Sequence, residues 1–194
     1  MTIWDKFFDE KIREIAKGNY ILDVGGGIKL GKGMENYAVL FQGKKYVTLD
    51  KEPKYQPDMI GDIHSIPLPD ACVDAVICKA VLEHVEQPQR AVDEVRRILK
   101  PGGQAFFYVP FLYPYHAERG VYKDFYRFSK DGVEYLFRDF SKMEYVGVRN
   151  FFEMWFNLLP RPLNQPTRVL GRLLDQLITS RGNQTSGFNI FVIK

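Results

Sequence analysis

Apolar residues recur every three or four positions near the start of the chain, from Trp4 to Ile15. This spacing is typical of one face of an amphipathic helix. It predicts a helix over residues 3–17, within an N-terminal segment 1–18 that a glycine ends. A second helix is predicted over 87–99, where a proline stands in the first turn and the sequence Pro-Gly-Gly follows the last turn.

Short apolar runs typical of buried strands alternate with longer stretches. Parallel strands need crossovers of helix length between them, so this alternation predicts a parallel, doubly wound α/β sheet. No repeat divides the chain, and we expect residues 1–194 to form a single domain with an apolar, basic insertion at 150–186. The predicted strands cover 20–24, 46–50, 59–62, 73–78, 104–109, 142–149 and 188–193, and a third helix is predicted over 130–139.

The composition is that of a folded globular protein. The chain has 194 residues, of which 45% are hydrophobic and 26% charged, and this length is sufficient for a full hydrophobic core. A formal net charge of +3 gives no strong indication of nucleic-acid binding. We find neither the apolar core of a signal peptide nor a run of about 18 apolar residues, so we expect a protein that is neither exported nor membrane-spanning.

The cysteines and histidines indicate neither a disulfide nor a metal site. Cys72 and Cys78 flank one apolar run and would stand about 20 Å apart on an extended strand, too far for a disulfide. His64, His84 and His116 are scattered and match no zinc-ligand spacing. We therefore expect reduced cysteines and no metal, which fits a reducing cytoplasm best.

A glycine-rich turn, Asp23-Val-Gly25-Gly26-Gly27, follows the first predicted strand. Glycines let a ligand approach the backbone closely, and free N–H groups there can bind an anionic group. Asp50 ends the next predicted strand, 23 residues after Gly27, where a carboxylate can accept both ribose hydroxyl protons. This pattern indicates a nucleotide-cofactor site; the alternative is a tight turn with an unrelated surface acid.

Five motifs occur in a particular order along the chain. They are Ile21–Gly27, Thr48–Asp50, Gly61–Ile63 with Leu68–Asp70, Ala80–Val85, and Arg97–Gly103. In this order they resemble the class I S-adenosylmethionine-dependent methyltransferases, in the group whose fourth strand leads into Leu-Glu-His. The resemblance covers about residues 20–110. It implies S-adenosylmethionine as the cofactor and a Rossmann-like sheet of seven strands, mostly parallel with an antiparallel last strand, with helices on both faces and a helical insertion before the last strand.

The resemblance also implies roles for the residues that match the motifs. The implied cofactor contacts are Asp23, Gly25 and Gly27 at the methionine end, with Gly26 in the same loop, Asp50 at the ribose, Lys51 along the adenine, and Asp62 and Ile63 at the adenine edge. Lys79 stands where the family places cofactor or substrate contacts, and a solvated strand-end lysine is the equal alternative. Lys29 stands where the family has its third glycine.

Methyl transfer from a sulfonium requires mainly that acceptor, methyl group and sulfur be aligned, and a base is needed only if the acceptor has a proton to lose. The catalytic or acceptor-side candidates are His116, Asp124, Tyr126 and Arg127, which follow the fifth strand. A structural loop histidine is the alternative for His116. We expect Glu83 and His84 to order the start of a helix beside the cofactor rather than touch the acceptor. The aromatic stretch 111–128 is interpreted as a packed lid, with a binding cage as the alternative.

The predicted function is S-adenosylmethionine-dependent methyl transfer to a small-molecule, glycan-precursor or lipid-linked acceptor. A non-catalytic S-adenosylmethionine-binding module is the alternative. A nicotinamide-dependent oxidoreductase is disfavoured by Leu30, which stands where a dinucleotide fingerprint needs glycine.

The insertion 150–186 is longer than a minimal fold of this class needs, so we expect it to have a role. We predict that it caps the acceptor pocket and contacts a lipid surface or a second subunit, which would place a cytoplasmic protein peripherally at the membrane. The alternative is that its apolar stripe packs on the domain's own sheet. The residues behind this prediction are Phe151, Phe152, Trp155, Phe156, Leu158, Leu159, Val169, Leu170, Leu173, Leu174, Leu177 and Ile178, with Arg168, Arg172 and Arg181 beside them.

Overall fold

Strands and helices alternate along the described part of the chain, which comprises residues 1–160, 162–177 and 184–194 of a computed structural model. The helices are α1 (Ile3–Ile15), α2 (Pro88–Ile98), α3 (Lys130–Leu136), α4 (Phe151–Asn157) and α5 (Asn164–Leu177). The strands are β1 (Tyr20–Val24), β2 (Lys45–Asp50), β3 (Met59–Ile60), β4 (Val73–Lys79), β5 (Leu99–Pro110), β6 (Lys142–Val148) and β7 (Gly187–Ile193). Short 3-10 helices cover Glu35–Phe41, Pro53–Tyr55 and Leu82–His84.

The strands of the described residues lie in one sheet of order β3-β2-β1-β4-β5-β7-β6. The strands β1 to β5 run parallel, whereas β7 is antiparallel to both of its neighbours, β5 and β6. The predicted Rossmann-like fold is thereby confirmed. Because β1 lies between β2 and β4, the loops that leave β1 and β4 diverge and open a crevice at the carboxyl edge of the sheet.

Helices cover both faces of this sheet. On one face α1 buries Ile12 in a cluster with Phe106 of β5. On the other face Val95 of α2 lies in a second cluster with Phe107, the next residue of β5. Adjacent strand residues point to opposite faces, which is why neighbouring phenylalanines serve two different cores. Cys78 lies in the second cluster, and both cysteines are free thiols, as predicted.

Several elements end earlier than the sequence predicts, among them α3, which ends at Leu136 instead of residue 139, whereas β5 begins earlier, at Leu99 instead of residue 104. The helix α1 ends at Ile15 because the N–H of Lys17 bonds the carbonyl of Glu14, three residues back, which tightens the last turn. The strand β3 ends at Ile60 because Asp62 already starts a turn, in which the N–H of Ser65 bonds the Asp62 carbonyl.

The helices α4 and α5 of the insertion pack closely against each other. A Cβ on Gly171 would stand 2.7 Å from the Cα of Glu153, so the two backbones meet at this glycine. The carboxylate of Asp175 accepts hydrogen bonds of 3.0 Å from the backbone N–H groups of Phe152 and Glu153. These bonds satisfy amides at the start of α4 that have no partner within the helix.

One side of α5 is exposed on the surface of the protein. We call it the outer face of α5; it consists of Val169, Leu170, Leu173 and Leu177, each at least half exposed. These side chains therefore do not pack on the domain's own sheet. Ile178 and Arg181, which the prediction for this segment also named, lie outside the described residues, as does the side chain of Arg168. Among the described helices, none has the length and apolar character needed to cross a membrane.

Candidate functional site

The crevice between the β1 and β4 loops opens into a cavity of about 1450 Å³. Its walls come from segments that lie far apart in the chain, and these meet because all of them follow the carboxyl ends of strands. The main lining segments are 24–32, 49–52, 61–65, 84–87 and 115–123. No described residue of the insertion 150–186 lines it.

The glycine-rich loop after β1 forms the first wall of this cavity. Gly25 and Gly27 both have a φ of +62°, in the left-handed region that favours glycine. A Cβ on Gly25 would stand 2.4 Å from a methyl carbon of Val81, so the position also has no room for a side chain. The loop is held to the sheet by a 2.7 Å hydrogen bond from the N–H of Gly25 to the carbonyl of Leu49.

Asp23 lies behind the loop and does not line the cavity, contrary to its predicted place at the methionine end. Its carboxylate lies directly beneath Gly26, where a Cβ would stand 2.5 Å from Oδ2. The hydroxyl of Tyr46 donates a 2.6 Å hydrogen bond to the same oxygen. Burial raises the pKa of the Asp23 carboxyl to about 6, an effect that the Tyr46 hydrogen bond partly offsets. Asp23 thus supports the cofactor loop from below.

Asp50 lines the cavity at the end of β2, where the sequence places it. Its Oδ2 accepts a 3.3 Å hydrogen bond from the N–H of Gly27, and its Oδ1 accepts one of 3.0 Å from Glu52. Each carboxylate oxygen can accept a further hydrogen bond, so Asp50 can bind a pair of ribose hydroxyls while it orients the glycine loop. The neighbouring Lys51 also lines the cavity.

The far end of the same wall is built by Asp62 and Ile63, which both line the cavity. The Oδ1 atom of Asp62 accepts hydrogen bonds from the backbone N–H of His64 at 2.8 Å and faces its Nδ1 at 2.6 Å. Within the described residues, the second oxygen of Asp62 has no hydrogen bond of this kind. This is an arrangement that can bind the edge of an adenine.

Lys79, at the end of β4, does not have the role that the sequence suggested, and a lysine of the loop after β1 lies in the cavity wall in its place. The ammonium of Lys79, a predicted contact, turns away from the cavity, donates to the carbonyl of Lys32 and lies 4.3 Å from the ring centroid of Phe8. Burial lowers its pKa to about 8. Lys32 lines the cavity instead, and its Nζ donates to the carbonyls of Gly25 at 2.7 Å and Lys79 at 3.0 Å. No sequence signal singled out Lys32, which lies in an irregular loop.

The opposite wall is formed by residues 115–123, part of the aromatic stretch 111–128. An ion pair of 2.6 Å between Lys54 Nζ and Glu118 Oε1 ties this wall to the loop after β2. The ring of Tyr122 packs against that of His84 with 4.3 Å between centroids. The stretch therefore closes one side of the cofactor cavity.

Glu83, His84 and His116 meet at the cavity end beside Val81, and we call them the Glu-His-His cluster. The Oε1 atom of Glu83 lies 3.6 Å from Nε2 of His116 and 3.8 Å from Nε2 of His84. The Glu83 carboxylate is fully buried, and neither oxygen has a hydrogen-bond partner within the described residues. Burial raises the pKa of this carboxyl to about 7. The sequence did not indicate this convergence, because His116 lies 32 residues beyond His84.

The other three acceptor-side candidates, Asp124, Tyr126 and Arg127, do not line the cavity. Asp124 Oδ2 accepts a 2.8 Å hydrogen bond from the backbone N–H of His116 and a 2.7 Å hydrogen bond from Arg127. The Arg127 guanidinium holds the pKa of the Asp124 carboxyl low, at about 2. The hydroxyl of Tyr126 donates to the carbonyl of Glu86 at 2.8 Å. These side chains hold the loop that carries His116 and do not themselves reach the cavity.

The strand order and the cavity, with a glycine loop after β1 and an acid after β2, resemble those of class I S-adenosylmethionine-dependent methyltransferase domains. Residues 22–107 match the family model described as "Methyltransferase domain". A S-adenosylmethionine-dependent methyltransferase from Archaeoglobus fulgidus shares the fold, with a TM-score of 0.63 at 12% identity over 97% of this chain and 92% of that one. The predicted class and its cofactor, S-adenosylmethionine, are confirmed, and the residues around the cavity fit that cofactor.

Two curated proteins show which relatives share part of the sequence. The ubiquinone biosynthesis O-methyltransferase of Coxiella burnetii is 28% identical over 112 residues, which are 53% of this chain and 47% of that protein. The thiol S-methyltransferase TMT1B of Homo sapiens is 44% identical over 48 residues, 25% of this chain and 20% of that protein. The chain thus spans less than half the length of either relative.

Replacing Asp50 tests the cofactor site. We expect Asp50→Ala to weaken S-adenosylmethionine binding by about 2–4 kcal/mol, because the ribose hydroxyls lose a charged acceptor in a partly desolvated site. Calorimetric titration measures the affinity, and circular dichroism checks that the fold is intact. Asp93→Ala, at an exposed position of α2, is the control and should bind like the parent. Binding of Asp50→Ala within twofold of the parent would contradict the assignment.

The raised pKa of Asp23 makes stability depend on pH. Its ordinary value is 3.8, so between pH 4 and pH 6 the unfolded chain loses this proton before the folded protein does. The free energy of unfolding should therefore fall by about 3 kcal/mol as pH rises through this window, and change no further above it on account of this group. This part of the fall should be absent from Asp23→Asn, whose side chain carries no charge, whereas the contribution of Glu83, whose pKa burial also raises, should remain.

Urea unfolding of parent and Asp23→Asn at pH 4, 5, 6 and 7 measures this difference. Tyr46→Phe removes the hydrogen bond that favours the charged carboxylate, so in that variant the fall should extend to higher pH. Parallel pH profiles for the parent and Asp23→Asn would show that the buried carboxyl is not the cause.

Proposed function

We propose that this chain transfers the methyl group of S-adenosylmethionine to the oxygen or sulfur of a small-molecule or lipid-linked acceptor, glycan precursors included. The observation that carries the proposal is the Glu-His-His cluster, which lies at the end of the cofactor cavity. Its carboxylate and imidazole groups offer lone pairs and negative charge. A hydroxyl or thiol needs such surroundings, because it must give up a proton when it receives the methyl group.

The packing of the backbone supports an acceptor position close to the methionine end of the proposed cofactor site. Gly25 of the cofactor loop touches Val81, and Val81 is two residues before Glu83. An acceptor held by the cluster would thus lie close to the methyl group. Sulfonium is already a good leaving group, so alignment of acceptor, methyl group and sulfur supplies much of the rate.

Aromatic rings beside the cluster suit a flat or partly apolar acceptor. The rings of Tyr122 and Tyr113 pack against His84 and His116, with centroid distances of 4.3 and 5.2 Å. Such rings favour stacked and edge-on contacts. The names of the two curated relatives describe an O-methyltransferase and a thiol S-methyltransferase, which supports an oxygen or sulfur acceptor for this chain.

The alternative of a non-catalytic binding module rested on Lys29, which replaces a family glycine. The Nζ of Lys29 forms a 2.9 Å ion pair with Asp58, and Asp58 in turn accepts a 2.9 Å hydrogen bond from the N–H of Thr48. The outer part of the loop is therefore anchored to β2 by this pair. Release of methyl groups to an added acceptor separates the two functions, since a binding module releases none.

Methyl release from S-adenosylmethionine with a labelled methyl group tests the proposal on a panel of phenols, alcohols, thiols and lipid-linked sugars. We expect transfer to at least one, and we expect His116→Ala to lower its rate about 100-fold or more with cofactor affinity unchanged. Lys130→Ala, on the exposed surface of α3, is the control. Parental rates for His116→Ala on the true acceptor would remove His116 from the acceptor site.

The outer face of α5 supports the lipid-linked form of the acceptor. Its four apolar side chains are exposed on one helix, and Trp155 of α4 is also about half exposed. Apolar side chains on one face of a surface helix can enter the boundary between lipid headgroups and acyl chains. We therefore propose that this face contacts a lipid surface when the acceptor is lipid-linked.

Flotation with vesicles that contain anionic phospholipid tests this contact. The parent should float with the vesicles, whereas the double variant Leu170→Ser/Leu173→Ser should stay in the soluble fraction. Val39→Ser, an equally exposed apolar position in the 3-10 helix Glu35–Phe41, is the matched control and should float. If the parent stays soluble and light scattering finds a dimer that the double variant lacks, the face binds a second copy and the lipid contact is wrong.

A further inference from the structure

The Glu-His-His cluster is a set of three potential metal ligands. One ligand atom from each residue, Oε1 of Glu83 and Nε2 of His84 and His116, lies within 4.8 Å of the other two. The two distances from Oε1 are 3.6 and 3.8 Å, too long for hydrogen bonds. Ligands of a tetrahedral ion, bound at about 2.1 Å, stand about 3.4 Å apart, so the three atoms need to move only slightly.

In both imidazoles, the hydrogen bond made by Nδ1 fixes the tautomer that metal binding through Nε2 requires. Nδ1 of His84 lies 2.7 Å from the carbonyl oxygen of Lys123, and Nδ1 of His116 lies 3.1 Å from that of Pro114. A carbonyl can only accept, so each Nδ1 carries the hydrogen and each Nε2 presents its lone pair to Glu83. Histidines that bind metals usually donate the other N–H to a carbonyl or carboxylate in this way.

When Glu83 is ionised, the same three atoms have no donor between them. The Glu83 carboxylate is buried without a hydrogen-bond partner in the described residues, and both facing nitrogens are acceptors. Burying acceptors without a hydrogen-bond partner costs free energy, and three lone pairs that point at one another also repel. A positive charge at their centre removes both costs.

The cluster is also held in place by a surrounding layer of contacts. The backbone N–H of His116 bonds Asp124 at 2.8 Å, and Arg127 bonds the Pro114 carbonyl at 2.8 Å. The N–H of Phe125 bonds the carbonyl of Glu83 at 2.8 Å, which joins the loop after β5 to the 3-10 helix of Glu83. The positions of the ligand atoms are thus fixed before any ion arrives.

We propose that Glu83, His84 and His116 bind a divalent transition-metal ion, such as Zn²⁺ or Co²⁺, at the acceptor end of the cavity. Two imidazoles and one carboxylate favour such ions over Mg²⁺ and Ca²⁺, which prefer oxygen ligands. His84 and His116 line the cavity, so the remaining ligand positions of the ion face the space for the acceptor. The inference rests on the proposed function: an acceptor hydroxyl or thiol bound to the ion would lose its proton to water more readily, and its oxygen or sulfur would then take the methyl group as the cofactor's sulfonium leaves as a neutral thioether.

Metal binding is measured on the full chain after chelator treatment, with Zn²⁺ by calorimetry and with Co²⁺ by visible absorption, without cofactor or acceptor. We expect one equivalent of either ion to bind, and Mg²⁺ not to compete at equal concentration. Glu83→Gln, His84→Ala and His116→Ala should each weaken Zn²⁺ binding at least tenfold and remove the Co²⁺ absorption bands. His64→Ala replaces the remaining histidine, which pairs with Asp62, and should bind like the parent.

Thermal unfolding and S-adenosylmethionine binding of each variant check the fold, and the Co²⁺ spectrum of the parent reports nitrogen ligation even if a variant fails to fold. A parent that binds neither ion, or a His116→Ala variant that binds as well as the parent, would overturn the metal site. If the metal-free parent transfers methyl groups at the same rate in chelator, the metal-site proposal is wrong, whereas the proposed methyltransferase function stands. If the parent binds one ion but transfers no methyl group to any acceptor of the panel, the proposed function is wrong and the metal site stands.

Discussion

The close approach of the loops after β1 and β4 is the constraint on which the whole site depends. Gly25 has a positive φ and no space for a Cβ against Val81, so neither its conformation nor its packing allows another residue. This contact places the cofactor loop beside the backbone that leads into Glu83. The distance between the glycine loop and the Glu-His-His cluster is therefore set by backbone packing at the centre of the sheet.

Two buried carboxyl groups lie on either side of that contact and differ in one respect. Asp23 receives the Tyr46 hydroxyl, whereas Glu83 receives no hydrogen bond within the described residues. The first is satisfied by the protein and serves to hold the loop. An unsatisfied buried acceptor such as Glu83 costs about 1–3 kcal/mol, and such costs are kept mainly where function needs them. Asp23 is thus best understood as part of the scaffold, and Glu83 as part of the reactive end of the cavity.

The elements and the cofactor side could be predicted because their signals are local in the sequence. Strand runs, a glycine turn and an acid at the end of β2 can each be recognised within a few residues, and Asp50 lines the cavity as expected. The cluster could not be predicted, since Glu83 and His116 meet only through the order of β4 and β5 in the sheet. The direction of Lys79 could not be predicted either, because side-chain direction at a strand end depends on packing that no local pattern records.

Arg127 shows why a residue beside the site need not act on the substrate. All five of its N–H groups are used within the protein: two on Asp124, and one each on the carbonyls of Tyr113, Pro114 and Tyr126. No donor remains to bind an acceptor. These bonds hold the backbone of residues 113–127 in place, and this segment includes His116. In the proposed function, recognition of the acceptor would fall to the cavity wall 115–123, whose backbone this half-buried arginine keeps in place.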